Sequence, residues 1–323
     1  MLSEFEIIQA CFNQPGLAAV QGDVVRLGIG DDCTLLSVPS GKELAMSLDT
    51  LVAGVHFPEG ADPMLVGYRA LVVSLSDLAA MGAEPAGFTL GLTLPAADQD
   101  WLEGFSAGLK EAALAFRCPL LGGDTTRGPL TITIQVHGLN DAGKAILRSG
   151  ARPGDAVYVT GSLGNAAFAI RELLGTEHMH DSARARYEQA FYRPMPKLAL
   201  GHAAAGVVSA GIDISDGLLA DLGHVCRLSG TGAQLALAAI PVGAPLQEYL
   251  PQQEALALAL TGGDDYELLL TVSAVHEQAL VALGEMLGLP PVRIGVITDG
   301  DAVECLDASG KPVTFAASGY RHF

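Results

Sequence analysis

The sequence is short of positive charge, of aromatic side chains and of long uninterrupted hydrophobic runs. It has 18 Lys and Arg against 36 Asp and Glu, for a formal net charge of -18. It therefore lacks the basic face by which proteins bind nucleic acid or an anionic membrane surface. The longest uncharged stretch, after Arg227, is interrupted by glycines and prolines, which predicts no membrane span. Five scattered cysteines form no Cys-x-x-Cys pair and indicate reduced thiols, so we expect a cytoplasmic protein.

The composition that is present favours a layered protein of two domains. The chain has 323 residues, half of them hydrophobic, and 39 glycines, which suits mixed helices and strands joined by tight turns. A cluster of glycine, proline and charge at 148–155 interrupts the pattern. We predict one domain over 1–148, another over 149–323, and an α+β or α/β architecture.

Local patterns predict the elements that bear on function. Strands are expected at 24–29, 44–48, 88–94 and 131–136 in the first half, and at 156–160, 234–239, 266–272 and 292–297 in the second. Helices are expected after Asp62, after Asp98, after Asp216, and around 165, 256–260 and 278–286.

Aspartates recur where apolar runs end. They stand in Gly30-Asp31-Asp32, Ser47-Leu48-Asp49, Leu75-Ser76-Asp77, Gly123-Asp124, Asp213-Ile214-Ser215-Asp216 and Gly263-Asp264-Asp265. Any one of these is commonly a turn or a helix cap. Carboxylates gathered together repel one another unless a hard divalent cation lies between them, and oxygen ligands select magnesium, calcium or manganese. The repetition therefore predicts a magnesium site that handles phosphate.

Familiar catalytic machinery is missing from the sequence. The segment 138–145 is one residue short of a phosphate-binding loop and has Ala145 in place of the metal-binding hydroxyl. Gly28-Ile29-Gly30 lacks the third glycine of a dinucleotide site. No nucleophile elbow, zinc-protease motif or set of protein-kinase motifs occurs. These familiar kinds of site are therefore excluded.

The aspartate motifs, read with their neighbours, resemble those of thiamine-monophosphate kinases. The resemblance lies in Gly28–Asp32, Asp49–Phe57, Leu75–Gly82, Gly122–Thr126, Asp213–Leu218, Gly262–Leu268 and the terminal Gly319–Phe323. The Asp-x-Ser-Asp-Gly and Gly-Asp-Asp pieces are also similar to a wider superfamily, which includes aminoimidazole ribonucleotide synthetase, selenophosphate synthetase and hydrogenase maturation proteins. The segment with His56 and the terminal segment are the more specific pieces.

The resemblance implies an aminoimidazole ribonucleotide synthetase-like (PurM-like) fold. Its α+β N-terminal domain, 1–148, would bind ATP and magnesium and pair with a second copy, and 149–323 would form an α/β C-terminal domain. The implied reaction is direct transfer of the ATP γ-phosphate to thiamine phosphate, for which we expect no general base and no covalent nucleophile. Magnesium ligands would be Asp32, Ser47, Leu48, Asp49, Asp77, Asp124, Asp213 and Asp216. ATP would contact Gly123, Asp124, Arg148 and Ser215, and thiamine phosphate would contact His56, Asp264 and Tyr320.

Two positions depart from the family pattern. Leu48 stands where threonine is frequent, so only its backbone carbonyl can serve as a ligand. Asp264 stands where glutamate is usual, one methylene shorter at a substrate contact. Two alternatives stay open at this point: another ATP-dependent member of the superfamily, and a noncatalytic sensor of nucleotide or thiamine phosphate.

Overall fold

The computed structural model describes residues 4–173 and 181–315, and the chain divides into two compact units. The N-terminal unit is Met1–Leu78 with Ala83–Gly143, and the C-terminal unit is Ala79–Gly82 with Lys144–Phe323. The prediction of a mixed, two-part fold is confirmed.

The N-terminal unit is built on a four-stranded sheet with two long helices. Its elements are α1 Glu4–Ile7 with a π-helical turn Ile8–Phe12, β1 Val25–Leu27, β2 Leu35–Leu36, β3 Lys42–Val52, α2 Pro63–Ala80, β4 Glu84–Leu94, α3 Gln99–Phe116, β5 Leu120–Arg127 and β6 Thr131–Asp141. The sheet order is β3-β6-β4-β5, in which only β4 and β5 are parallel. The short strands β1 and β2 form a separate antiparallel pair.

One face of this sheet forms the core of the unit. Alternate side chains Phe88, Leu90 and Leu92 of β4 are buried, as are Ile132, Ile134 and Val136 of β6. This period of two is the one expected for half-buried strands. Helix α3 begins at the predicted cap, where Asp98 accepts a hydrogen bond from Trp101 N at 3.0 Å.

Helix α2 is apolar because it is a core helix. By length and composition alone this helix could span a membrane, but 72% of its 18 residues are buried inside the protein. Its burial within the fold accounts for its hydrophobicity without a lipid phase.

The C-terminal unit has a seven-stranded sheet of order β13-β12-β9-β11-β7-β10-β8. Its elements are β7 Ala156–Val159, α4 Asn165–Leu173, α5 Asp181–Tyr192, α6 Leu198–Ala204, β8 Ala210–Asp213, α7 Leu218–Ser229, β9 Gly232–Ala236, a 3-10 turn Leu237–Ala239, α8 Ala244–Tyr249, α9 Gln252–Thr261, β10 Leu268–Val272, α10 Glu277–Met286, β11 Val292–Thr298, β12 Val303–Leu306 and β13 Pro312–Val313. All pairs are antiparallel except β9 with β12.

The topology of this sheet brings three loops with functional residues together at one end of its strands. Strands β7 and β8 both run antiparallel to β10, so their carboxyl ends meet the amino end of β10. Asp213 pairs with Leu268 there, and Val159 pairs with Leu269. The loops after β7 and β8 and the loop before β10 therefore emerge side by side.

Candidate active site

Ser47, Asp49 and Asp77 lie together in the N-terminal unit. Ser47 and Asp49 are alternate residues of β3 and share one face of the strand. The Ser47 hydroxyl donates a hydrogen bond to Asp77 near the end of α2. Burial, and then the charge of Asp77, raise the pKa of Asp49 to about 6, while Ser74 lowers it. A half-buried carboxylate that is repelled by a second one is well placed to share a hard divalent cation with it.

Leu48 lies on the other face of β3. Its side chain is 57% exposed and offers no ligand atom. An alkyl group here is compatible with only one metal-binding role, through the backbone carbonyl.

Gly123 and Asp124 lie at the opposite edge of the same sheet. In register, Asp49 pairs with Ile134, Ile134 with Leu90, and Leu90 with Gly123. Strands are about 4.8 Å apart, so three steps place Asp124 roughly 14 Å from β3. Within one chain the structure does not bring Asp124 beside Asp49.

The loop that carries Asp32 is tied to the start of β5. The Thr34 hydroxyl donates to Leu121 O at 2.7 Å, and Asp32 itself is exposed. At Gly123 a Cβ atom would overlap the Leu90 carbonyl, so the strand pairing requires glycine. Asp32 and Asp124 therefore lie near the β5 edge of the sheet, whereas Ser47, Asp49 and Asp77 lie near the β3 edge.

His56 lies in the turn that follows β3. Its Nδ1 accepts a hydrogen bond from Val52 N at 3.0 Å. The proton of the neutral ring is therefore on Nε2, which fixes which nitrogen is the donor.

Asp213 ends β8 in the C-terminal unit. Ser215 and Asp216 follow it in a loop that a buried carboxylate holds. The N–H groups of Ser215, Asp216 and Gly217 each donate to Asp221 Oδ2 at 3.1 Å. Burial, and then the charge of Asp216, raise the pKa of Asp221 to about 7, while those three donors lower it.

Asp216 has two further neighbours that sequence reasoning missed. Ligand atoms of Asp216, Asp221 and His224 all lie within 4.8 Å of one another. Burial, and then the charges of Arg227 and Arg148, lower the pKa of His224. Arg148 thus lies near enough to this cluster to act on it. The sequence could have indicated that Asp221 and His224 lie together, because residues three apart on a helix share a face.

The segment before β10 is joined to the Ser215 loop. Asp264 N donates to Ser215 O and Tyr266 N to Ile214 O, both at 2.8 Å. Asp264 and Tyr266 have φ values of 68° and 49°, uncommon for residues other than glycine. The Tyr266 hydroxyl also donates to Asp264 Oδ1 at 2.9 Å. A predicted ATP contact and a predicted substrate contact are therefore adjacent, whereas Tyr320 lies outside the described residues.

Comparisons with known proteins place the chain first in a broad class. Residues 30–140 match the model of the AIR synthase related protein N-terminal domain, and residues 152–307 match that of the C-terminal domain. The fold expected from the motifs is confirmed.

Full-length relatives then define the family more narrowly. The chain is 44% identical over 322 residues to thiamine-monophosphate kinase of Escherichia coli K12, covering 99% of this chain and 98% of the relative. A crystal structure of thiamine-monophosphate kinase from Stenotrophomonas maltophilia K279a is similar with a TM-score of 0.83, 40% identity, and coverage of 90% and 93%. The structure of AaThiL complexed with AMPPCP and TMP is similar with a TM-score of 0.78, 28% identity, and coverage of 89% of each chain. The chain belongs to the thiamine-monophosphate kinase family.

Proposed function

We propose that this protein transfers the γ-phosphate of ATP to thiamine phosphate, giving thiamine diphosphate and ADP. The observation that carries the proposal is the 44% identity to thiamine-monophosphate kinase across nearly the whole chain. The similar structure of AaThiL, complexed with AMPPCP and TMP, supports both the nucleotide and the acceptor.

The donor set of the site fits magnesium. The grouped side chains of Ser47, Asp49 and Asp77 offer only oxygen, and the raised pKa of Asp49 reflects its burial and its repulsion by Asp77. We propose that these residues, the carbonyl of Leu48, and Asp32, Asp124, Asp213 and Asp216 hold several magnesium ions. When bound, the ions would neutralise the phosphates, whose charges repel by about 4 kcal/mol at 4 Å and an effective dielectric near 20.

The protein's own contribution is to align two anions. Gly123, Asp124, Arg148 and Ser215 would hold ATP, and His56, Asp264 and Tyr320 would hold thiamine phosphate. The accepting phosphate has a second pKa of about 6 and is mostly ionised at neutral pH, so no base has to remove a proton. This accounts for a site built from metal ligands and backbone amides, with in-line positioning as its main contribution.

A second copy of the chain is part of the proposal. Leu44, Met46 and Leu48 point outward from the edge strand β3, and Met46 is 59% exposed. An exposed apolar row on the face of an edge strand favours association with another protein surface. We propose a homodimer through the N-terminal domain, 1–148, located in the cytoplasm.

Product analysis with a matched pair of variants tests the function. Protein, ATP, magnesium and thiamine phosphate should yield thiamine diphosphate and ADP in equal amounts. Asp77→Asn should lower kcat on the order of a hundredfold or more, because it removes a negative charge that would hold magnesium against the phosphates. Asp62→Asn is the control, since Asp62 accepts a hydrogen bond from Met64 N at the other end of the same helix.

The control should keep its turnover and nearly all of its stability, because asparagine caps a helix about as well as aspartate. ATP binding without ADP formation would favour the sensor. ADP formation with aminoimidazole precursors in place of thiamine phosphate would favour another member of the superfamily.

A further inference from the structure

Two arginines and a histidine lie together along helix α7 in the C-terminal unit. Arg227 is exposed in the last turn of this helix, and its Nη2 donates to His224 Nδ1 at 2.7 Å. The charge of Arg148, which is also exposed, acts on the same imidazole as the charge of Arg227 does. Two guanidinium groups from different parts of the chain therefore approach one histidine.

Ser229 brings the segment with Arg148 to the end of α7. Its hydroxyl oxygen accepts from Gly150 N at 3.1 Å and from Ala151 N at 3.2 Å, and the hydroxyl donates to Arg148 O at 3.5 Å. Ser229 is the last residue of the helix, two positions after Arg227. The segment that carries Arg148 is thus held beside the turn that carries Arg227.

Neither arginine is paired with a carboxylate in the part of the chain that the structure describes. Carboxylates are plentiful, since the sequence has 36 Asp and Glu against 18 Lys and Arg. Arg171, in the last turn of α4, does form such a pair, with Glu254 at 2.8 Å. A cation in the last turn of a helix favours the helix dipole, which accounts for Arg227 but not for Arg148 beside it. Cations gathered without acids form a site for an anion.

The backbone at the start of α7 is already occupied. The N–H groups of Ser215, Asp216 and Gly217 all donate to Asp221 Oδ2 at 3.1 Å. Such amides often bind phosphate at a helix N-terminus, but here a side chain of the protein takes their place as acceptor. A phosphate beside this loop therefore needs positive charge from side chains as well as from magnesium.

His224 links the arginines to this loop. Its ring nitrogen and a carboxylate oxygen of Asp216 lie within 4.8 Å of each other. Because arginine only donates, His224 Nδ1 accepts from Arg227, and the proton of the neutral ring is on Nε2. Burial, and then the charges of Arg227 and Arg148, lower the pKa of His224 and so favour this neutral ring. Neither nitrogen then has a lone pair for a metal, and the ring serves to orient Arg227.

We propose that Arg227 binds the triphosphate of ATP together with Arg148, and that His224 is a positioning residue for Arg227. The inference deepens the proposed function and rests on it, since Arg148 and Ser215 are its ATP contacts. A guanidinium offers paired N–H donors that match two phosphate oxygens. Magnesium on Asp216 and the two arginines would then neutralise different parts of one anion.

Binding of a nucleotide that cannot be turned over tests the role of Arg227. By calorimetry with magnesium and without thiamine phosphate, AMPPCP should bind Arg227→Gln about tenfold or more weakly than the wild type. Arg227→Lys keeps the charge but loses the paired donors, so its affinity should lie between the two. In turnover, Arg227→Gln should raise KM for ATP by about the same factor and leave KM for thiamine phosphate within about twofold.

Arg171→Gln is the matched control. It removes the same charge from the last turn of another helix in the same unit, where the arginine is paired with Glu254. It should change neither the AMPPCP affinity nor either KM. The urea unfolding midpoints of both variants should stay close to that of the wild type, because single surface charges contribute little to stability.

His224→Leu tests the positioning role. It should weaken AMPPCP binding by about threefold or more in the wild-type background. In the Arg227→Gln background it should cause no further loss, because the histidine acts through the arginine. Equal losses in the two backgrounds would overturn the positioning role.

The remaining outcomes distinguish this proposal from the proposed function. Absence of AMPPCP binding to the wild type, or unchanged affinity in Arg227→Gln, would overturn the role of Arg227 even if thiamine diphosphate is made. An equal loss in Arg171→Gln, or a rise in KM for thiamine phosphate alone, would do the same. AMPPCP binding that depends on Arg227, in a protein that makes no thiamine diphosphate, would overturn the function and leave the role of Arg227 standing.

Discussion

At the scale of single residues, Asp221 is the clearest case of one side chain that organises a functional loop. It is 1% exposed, and one of its oxygens accepts hydrogen bonds from three consecutive backbone amides. Those amides belong to the loop with Ser215 and Asp216, the residues that we propose bind ATP and magnesium. Through these three hydrogen bonds Asp221 acts as a positioning residue for the loop.

Removing the Asp221 carboxylate should lower the free energy of unfolding. Asp221→Ala leaves three donors without their partner and should cost about 1–3 kcal/mol in urea unfolding, measured with chelator present. The same variant should raise KM for ATP, because the loop loses its support. An unfolding midpoint equal to that of the wild type at pH 5 would contradict this account.

Asp221→Asn tests the effect of the negative charge alone on stability. The folded pKa of about 7 lies above the unfolded value of about 3.9, so between them the folded state binds more protons. The contribution of Asp221 to stability is therefore complete below the unfolded pKa and lost as pH rises through 7. Asp221→Asn should match the wild type near pH 4 and be more stable by roughly 1–4 kcal/mol at pH 8.

Asp307 provides a control of opposite sign for this pH dependence. It is also a carboxylate with several donors, and hydrogen bonds, that of the Ser309 side chain first, lower its pKa. Its contribution is present above the unfolded pKa and lost as pH falls. Asp307→Asn should therefore be less stable than the wild type at pH 8, with the difference shrinking in acid.

At the scale of elements, glycines set how closely helices pack in the N-terminal unit. A Cβ at Gly108 of α3 would overlap the Met64 carbonyl of α2, and one at Gly67 of α2 would overlap the Phe105 carbonyl of α3. These backbone atoms cannot move without separating the helices. The crossing therefore depends on glycine at both contacts.

Substitution at this crossing and at an open helical position should have opposite effects. Gly108→Ala should destabilise the protein by about 1–3 kcal/mol or more through overpacking. A Cβ added at Gly223 in α7 would meet no other atom within 4 Å. Gly223→Ala should stabilise by about 0.5–1 kcal/mol, because alanine loses less backbone entropy in a helix. Equal unfolding midpoints for the two variants would show that backbone contact does not limit the crossing.

Some of these helices and strands could be predicted from the sequence, and others could not. The alternating pattern at 131–136 predicted β6, and Asp98 predicted the start of α3, because both signals are local. Strand β5 was missed, since Gly122-Gly123-Asp124 has the composition of a turn. It is a strand because Leu120–Arg127 pairs in parallel with β4, a long-range contact that no local pattern encodes.

The functional residues divide in the same way. Aspartates at the ends of apolar runs indicated the magnesium chemistry, and the family resemblance supplied their roles. The contact of Ser47 with Asp77 joins residues 30 positions apart and follows from the fold alone. Asp221 and Lys197 are both buried, and no local pattern indicated that Asp221 holds a loop or that Lys197 pairs with Glu267.

At the scale of the whole molecule, the proposed second chain would bring together Asp49 and Asp124, which are separated within one chain. The two positions lie on opposite edge strands, roughly 14 Å apart by strand spacing. A symmetric dimer that joins β3 of one sheet to β5 of its partner would place the two acids side by side at each of two equivalent sites. The outward apolar row of Leu44, Met46 and Leu48 lies on the strand that this arrangement would cover.

Mixing inactive variants tests this arrangement. In co-expressed Asp49→Asn and Asp124→Asn chains, half of the dimers are mixed, and each mixed dimer has one site with both acids intact. Activity should therefore return to about a quarter of the wild-type value. In the control mixture, Asp49→Asn with Asp77→Asn, activity should stay near background, because Asp49 and Asp77 belong to one group within a single chain. If neither mixture regains activity although sedimentation shows dimers, each active site is formed within one chain. That result would contradict a site shared between two chains.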